Sequence, residues 1–147
     1  MRESLLERAY LRRQLEAHLI RLGYSSVRAK RNIEPIPEIA RINPVRGRMV
    51  YGETVLRSDL QLPHCHERLV SFSQRRTRHR SSILFFIGVA TVDEAELHAL
   101  LEQLGICGGV RGGHVHVVPI APETRARRGR PRPALAERLS AGGGRAA

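Results

Sequence analysis

The chain has no tryptophan and only six aromatic residues, three Tyr and three Phe, among 147. A stacking platform for single-stranded bases needs rings in series and is poorly supplied here. Two cysteines, Cys65 and Cys107, make no disulfide framework, and no Cys-x-x-Cys or Cys-x-x-His spacing occurs. Lysine is nearly missing: of 25 basic residues, 24 are Arg and one is Lys30. That bias reads as the mark of a GC-rich genome rather than a special demand for guanidinium. Met1-Arg2-Glu3-Ser4 carries no apolar signal core, and no apolar run approaches membrane-spanning length. A reduced, cytoplasmic protein with no membrane partner is expected. No Ser or Cys stands in a recognisable nucleophile elbow.

What the chain has in excess is positive charge. Its formal net charge is +11 and 27% of its residues are charged, with an isoelectric point near 11.3. That points to a polyanionic partner, nucleic acid first. Its length suits one domain able to bury a real core, although an apolar fraction of 41% is slightly low.

The pattern along the chain is mixed α/β. Residues 3–22 form a predicted helix, with Leu11, Leu15, Leu19 and Leu22 on one stripe and Gly23 closing it. A moderately polar strand is predicted over Tyr24–Ile33, followed by two strand-like runs, Ile36–Asn43 and Arg48–Leu56. A second helix is predicted over Leu60–Arg80, with Pro63 in its first turn and Leu62, Cys65, Leu69 and Phe72 buried. The apolar run Ser82–Val89 reads as a strand covered on both faces. Thr91-Val92-Asp93-Glu94 fits a capping box for a helix burying Leu97, Leu100, Leu101 and Leu104. A last strand is expected over His114–Ile120. Gly108–Gly113 reads as a connecting loop rather than a phosphate cradle, because no Lys-Ser/Thr follows it. The domain is thus expected over 1–120. The remainder, 121–147, holds seven Arg against Glu123 and Glu137, net +5, and reads as a disordered basic Arg/Pro/Gly tail.

Within the two central runs, Pro44-Val45-Arg46-Gly47 carries the Pro and Gly of a turn. If those four residues close a hairpin, Ile42 faces Met49, Ala40 faces Tyr51 and Glu38 faces Glu53. Two carboxylates directly opposite each other destabilise a sheet unless one is protonated or a cation lies between them. A divalent ion is the obvious candidate, because Mg²⁺ is held by one or two carboxylates plus phosphate oxygens. A slip of one residue would send the acids to opposite faces.

Pro37-Glu38, the turn and Glu53-Thr54-Val55 together resemble the motif of the PD-(D/E)XK nuclease superfamily. The element order α-β-β-β-α-β-α-β is similar as well, especially to small Holliday junction resolvases and very-short-patch or transposon-type endonucleases. Glu38 replaces the family's Asp, and Val55 stands where the family has lysine. The resemblance implies a restriction-endonuclease-like fold with a mixed central sheet flanked by helices. It also implies that Glu38 and Glu53 are catalytic and hold Mg²⁺ or Mn²⁺ for phosphodiester hydrolysis, and it admits a homodimer. Lys30 is a candidate substitute for the missing lysine and Gln74 a candidate helper. Glu16 or Glu7 would supply the helical glutamate that some members add. The alternatives are an accessory DNA-binding module that kept the fold and lost the chemistry, or a small basic protein acting on RNA or within a complex.

Two basic groups add to the nucleic-acid reading. Arg68, Arg75, Arg76, Arg78 and Arg80 lie on the surface of the predicted second helix and are expected to contact phosphates through their guanidinium forks. Arg128 and Arg130 lie in Arg-Arg-Gly-Arg-Pro, which resembles an AT-hook; a compositional tail that binds any polyanion is the plainer reading. Zinc is not expected, although His64-Cys65-His66, His114-x-His116 and Cys107 offer ligand types. His64 and His66 are two apart on a predicted helix and point to different sides.

Overall fold

Three leucines spaced by four place one helix flat on a sheet whose other face carries two more. The computed structural model describes residues 2–27, 35–76, 83–106 and 113–123. The first helix, α1 (Arg2–Arg21), buries Leu11, Leu15 and Leu19 completely or nearly so. It ends where Gly23 adopts φ +95°, with the Tyr24 N–H reaching back to the Leu19 carbonyl. Leu22, expected as the fourth member of the stripe, lies past this stop and is half exposed.

Five strands form one mixed sheet in the order β1-β2-β3-β4-β5. β1 (Ser25–Ser26), β2 (Ile39–Ile42) and β3 (Met49–Val55) are antiparallel, whereas β4 (Leu84–Ala90) and β5 (Val115–Ile120) run parallel to β3. The crossovers are α2 (Pro63–Ser73) and α3 (Glu94–Gln103). This is the expected α-β-β-β-α-β-α-β order, a mixed α/β fold. No helix among the described residues is long and apolar enough to cross a membrane.

Strand alternation sorts the core into two layers. Val50, Leu56, Phe86 and Ile120 pack under α1, and Tyr51, Val55, Phe85, Ile87, Val89 and Val115 pack under α2 and α3. The middle of β4 is buried on both sides, as a continuous apolar run with parallel neighbours requires.

The first strand pairs at Ser25–Ser26, and residues 28–33 of its expected span, Lys30 among them, lie outside the described residues. Two expectations need correction. The second helix begins at Pro63, not Leu60, because Leu60 belongs to a preceding 3₁₀ turn (Arg57–Gln61) and Leu62 is a half-exposed cap. It ends at Ser73, with Gln74 as its C-cap. At Thr91–Asp93 a 3₁₀ turn replaces the capping box. Asp93 is buried there and its carboxylate turns to Arg57 at 3.1 Å instead of capping α3. Pro119 falls inside β5, an edge strand where a missing N–H costs no ladder bond.

Two glycines set how closely α1 approaches the sheet. A Cβ on Gly52 would lie 3.1 Å from Ile39 Cβ and 3.2 Å from Leu15 Cδ2. One on Gly88 would lie 3.1 Å from Ile120 Cδ1 and 3.3 Å from Leu15 Cβ. Leu15 therefore occupies a slot left by two missing side chains. Leu15→Ala should lower stability by about 2–5 kcal/mol through the cavity it leaves. Gly88→Val should cost about 1–3 kcal/mol by overfilling the same slot. Urea unfolding midpoints of the two variants check both values.

Candidate functional site

The β2–β3 hairpin has the register read from the turn: Ile42 opposite Met49, Ala40 opposite Tyr51 and Ile39 opposite Gly52. Pairing begins at Ile39, so the strand is shorter than Ile36–Asn43. Glu38 stands one residue before it and meets Glu53 where the register continues. Its N–H donates to Glu53 Oε2 at 2.6 Å. The Glu38 side chain turns instead to Thr54, accepting from its N–H at 3.1 Å and from its hydroxyl at 2.8 Å.

The cation that such a pair of acids demands is supplied by arginine. Arg68, on α2, forks Glu53 through Nε to Oε1 at 2.8 Å and Nη2 to Oε2 at 3.0 Å. Nη2 also donates to the Ile36 carbonyl at 2.9 Å, which ties the chain leading into β2 to α2. On the other side, Arg8 of α1 places Nη1 3.7 Å from Glu38 Oε1 and donates through Nη2 to Asp59 Oδ2 at 2.6 Å. Arg8 Nη1 also donates to the Thr54 carbonyl at 3.1 Å. Asp59 Oδ2 in turn accepts the Leu56 N–H at 2.9 Å. Arg8, Glu38, Glu53, Thr54, Asp59 and Arg68 line one cleft of about 380 Å³ near the carboxyl end of β3.

Glu53 is only 4% exposed. Burial pushes its carboxyl above the usual range, while the Arg68 fork and the Glu38 N–H pull it back. Its recorded partners are all donors, the set that an ionised carboxylate satisfies. Arg68 is held more firmly protonated by the same bond. Cys65, in the same cleft, is pushed up to about 11 by burial and by the nearby Asp59 and Glu53 carboxylates, so it stays a thiol. Val55, at the position of the family's lysine, is 1% exposed and lies in the apolar layer beneath α2 and α3.

The other expected site residues lie elsewhere. Gln74 is exposed and lines a separate groove of about 620 Å³ between α2 and Leu104. Glu16 pairs with Arg41 at 3.7 Å and Arg12 at 3.5 Å, and Glu7 is exposed. Of the arginines expected on phosphates, Arg68 turns inward to Glu53. Arg75 also turns inward: Nη2 donates to the Pro35 carbonyl at 2.8 Å, and the guanidinium lies 5.1 Å from the Phe72 ring centre. Arg76 is exposed. Arg78, Arg80, Arg128, Arg130 and Cys107 fall outside the described residues. His66 Nε2 engages the Leu60 carbonyl, His114 lies against Ser73 and His116 stacks on Phe86. Among the described residues, no three His, Cys, Asp or Glu side chains are grouped to hold a metal ion.

Sequence reasoning missed Arg8, Thr54 and Asp59. Arg8 carried a usable signal: it lies three residues before Leu11 and seven before Leu15, on the buried stripe of α1, where a guanidinium needs a partner. Asp59 carried none, because its role depends on where α1 lands.

Removing Arg68 leaves a buried carboxylate without its fork. Arg68→Ala should cost about 3–5 kcal/mol near neutral pH. Because burial raises the folded-state value of Glu53, its contribution to stability is fully present below the unfolded value of about 4.3. That contribution is lost as pH rises through the folded value. Loss of Arg68 raises the folded value further, so stability of Arg68→Ala should fall more steeply than wild type from about pH 4 upward. Adding Glu53→Gln should flatten that extra slope. Urea unfolding across pH tests this, and parallel profiles for wild type and Arg68→Ala would refute it.

In comparisons with known proteins, no family model matches the chain, and no curated protein or solved structure matches it significantly.

Proposed function

We propose that the protein binds duplex DNA without cutting it, on a restriction-endonuclease-like core whose acid pair has become a structural ion-pair cluster. The observation that carries this reading is the Arg68 fork on Glu53, with Val55 buried where a lysine would activate water. A divalent ion does not fit this arrangement. Glu53 has arginine and a backbone N–H on its oxygens, Glu38 is bonded to Thr54, and the guanidiniums of Arg8 and Arg68 flank both acids. A cation there would have to displace an arginine. A net charge of +11 supports the polyanionic partner, and B-form DNA suits a domain with few aromatic rings to stack on single strands.

The runner-up is a metal-dependent DNA endonuclease. It is favoured by the convergence of Glu38 and Glu53 on one cleft, and it requires Arg68 to leave Glu53. Plasmid incubated with protein and Mg²⁺ or Mn²⁺ should show retarded mobility and no nicking. Metal-dependent nicking that disappears in Glu53→Ala would overturn the proposal and restore the nuclease.

Arg128 and Arg130 belong to this reading as phosphate contacts made by the basic tail. A chain ending at Glu123 keeps the Tyr10 hydroxyl bond to the Ala121 carbonyl. It should bind duplex DNA more weakly, with the slope of log K against log salt reduced by several units. An unchanged slope removes the tail from the interface.

A further inference from the structure

The turn joining β2 to β3 is braced from within. Asn43 Oδ1 accepts the N–H groups of Val45 at 2.9 Å and Arg46 at 3.0 Å. The Asn43 N–H donates to the Arg48 carbonyl at 2.8 Å, and the Gly47 N–H donates to the Asn43 carbonyl at 2.7 Å. Gly47 closes the turn at φ +67°, a left-handed conformation that favours glycine. The bracing presents five exposed residues, Pro44 to Arg48, with Val45 91% exposed at the tip.

A lone exposed valine is ordinary. A valine on a braced tip, followed on the same turn by two arginines with no carboxylate partner among the described residues, is a shaped surface. Arg8, Arg12, Arg41, Arg57 and Arg68 each have a carboxylate partner. Neither Arg46 nor Arg48 has one among the described residues. On the described surface both are open to an external anion, and they share an exposed turn with an apolar side chain that water does not favour.

The major groove of B-DNA is about 12 Å wide and admits a two-stranded ribbon. Guanidinium forks there bind guanine edges or the bordering phosphates, and an apolar side chain meets the thymine methyl. We infer that the β2–β3 tip is the element that enters the major groove of duplex DNA, with Arg46 and Arg48 as its anion contacts and Val45 as its apolar contact. The inference rests on the DNA-binding reading and goes beyond it by naming the reading element, which lies at the opposite end of the hairpin from the glutamate cleft.

Fluorescence anisotropy with a labelled B-form duplex at several salt concentrations tests it on the full chain. Arg46→Gln and Arg48→Gln should each weaken binding about 5- to 150-fold, and together they should lower the salt slope by about 2. Thermal unfolding should be unchanged, because both side chains are exposed. Val45→Ala should weaken binding at an unchanged slope, since an apolar contact releases no counterion. Arg13→Gln, on the exposed side of α1, is the control for general loss of charge and should have a much smaller effect. An A-form RNA duplex should bind less well, because its major groove is too deep and narrow for the ribbon.

Wild-type affinity and slope in the Arg46/Arg48 variant would overturn the inference while leaving DNA binding intact. Equal loss in Arg13→Gln, or equal binding of the RNA duplex, would overturn it too. Failure of the wild-type chain to bind duplex DNA would remove both this inference and the reading beneath it.

Discussion

The fork between Arg68 and Glu53 is the constraint around which the site is arranged. A carboxylate 4% exposed on a central strand is costly unless a cation reaches it, and the cation must come from another element. Arg68 comes from α2, so the pair locks the crossover helix to the hairpin. The same guanidinium holds the Ile36 carbonyl and lies 5.2 Å from the Phe72 ring centre. One side chain thus joins the chain entering β2, the middle of β3 and the core beneath α2.

A second arginine does the equivalent work from the opposite layer. Arg8 reaches from α1 across the end of β3 to Thr54, Glu38 and Asp59. That reach depends on how closely α1 lies against the sheet, which Gly52 and Gly88 permit by leaving room for Leu15. Packing and electrostatics are therefore coupled: the apolar stripe of α1 sets the depth at which Arg8 meets the acids. The outcome is a cluster in which each acid already has a cation, and this makes an architectural role fit the glutamates better than a metal-holding one.

The excess positive charge that suggests nucleic acid lies largely apart from this cluster. Arg8 and Arg68 are spent on internal partners, and Arg75 braces the Pro35 carbonyl. Among the described residues, exposed arginines such as Arg13, Arg46, Arg48 and Arg76 are available to a polyanion. A count of basic residues along α2 overstated what that helix offers to phosphate, because a guanidinium near an apolar stripe is drawn inward by its stem and by any buried acid.

Much of the architecture was legible in the residues. The leucine spacing of α1, the double-sided apolar run of β4 and the glycine stop at Gly23 each report a local preference that tertiary contacts reinforce. The hairpin register was legible for the same reason: a strand repeat of two and a short turn leave one alignment that keeps the apolar rows together. The ends of elements were less so, since Leu62 and Thr91 satisfy helical patterns that a neighbouring 3₁₀ turn pre-empts. The sequence by itself determined that two glutamates would meet across the turn. Only the tertiary structure decided what lies between and around them, because the answering arginines come from helices 15 residues beyond Glu53 and 46 before Thr54. No local periodicity records which side chain a distant helix will bring.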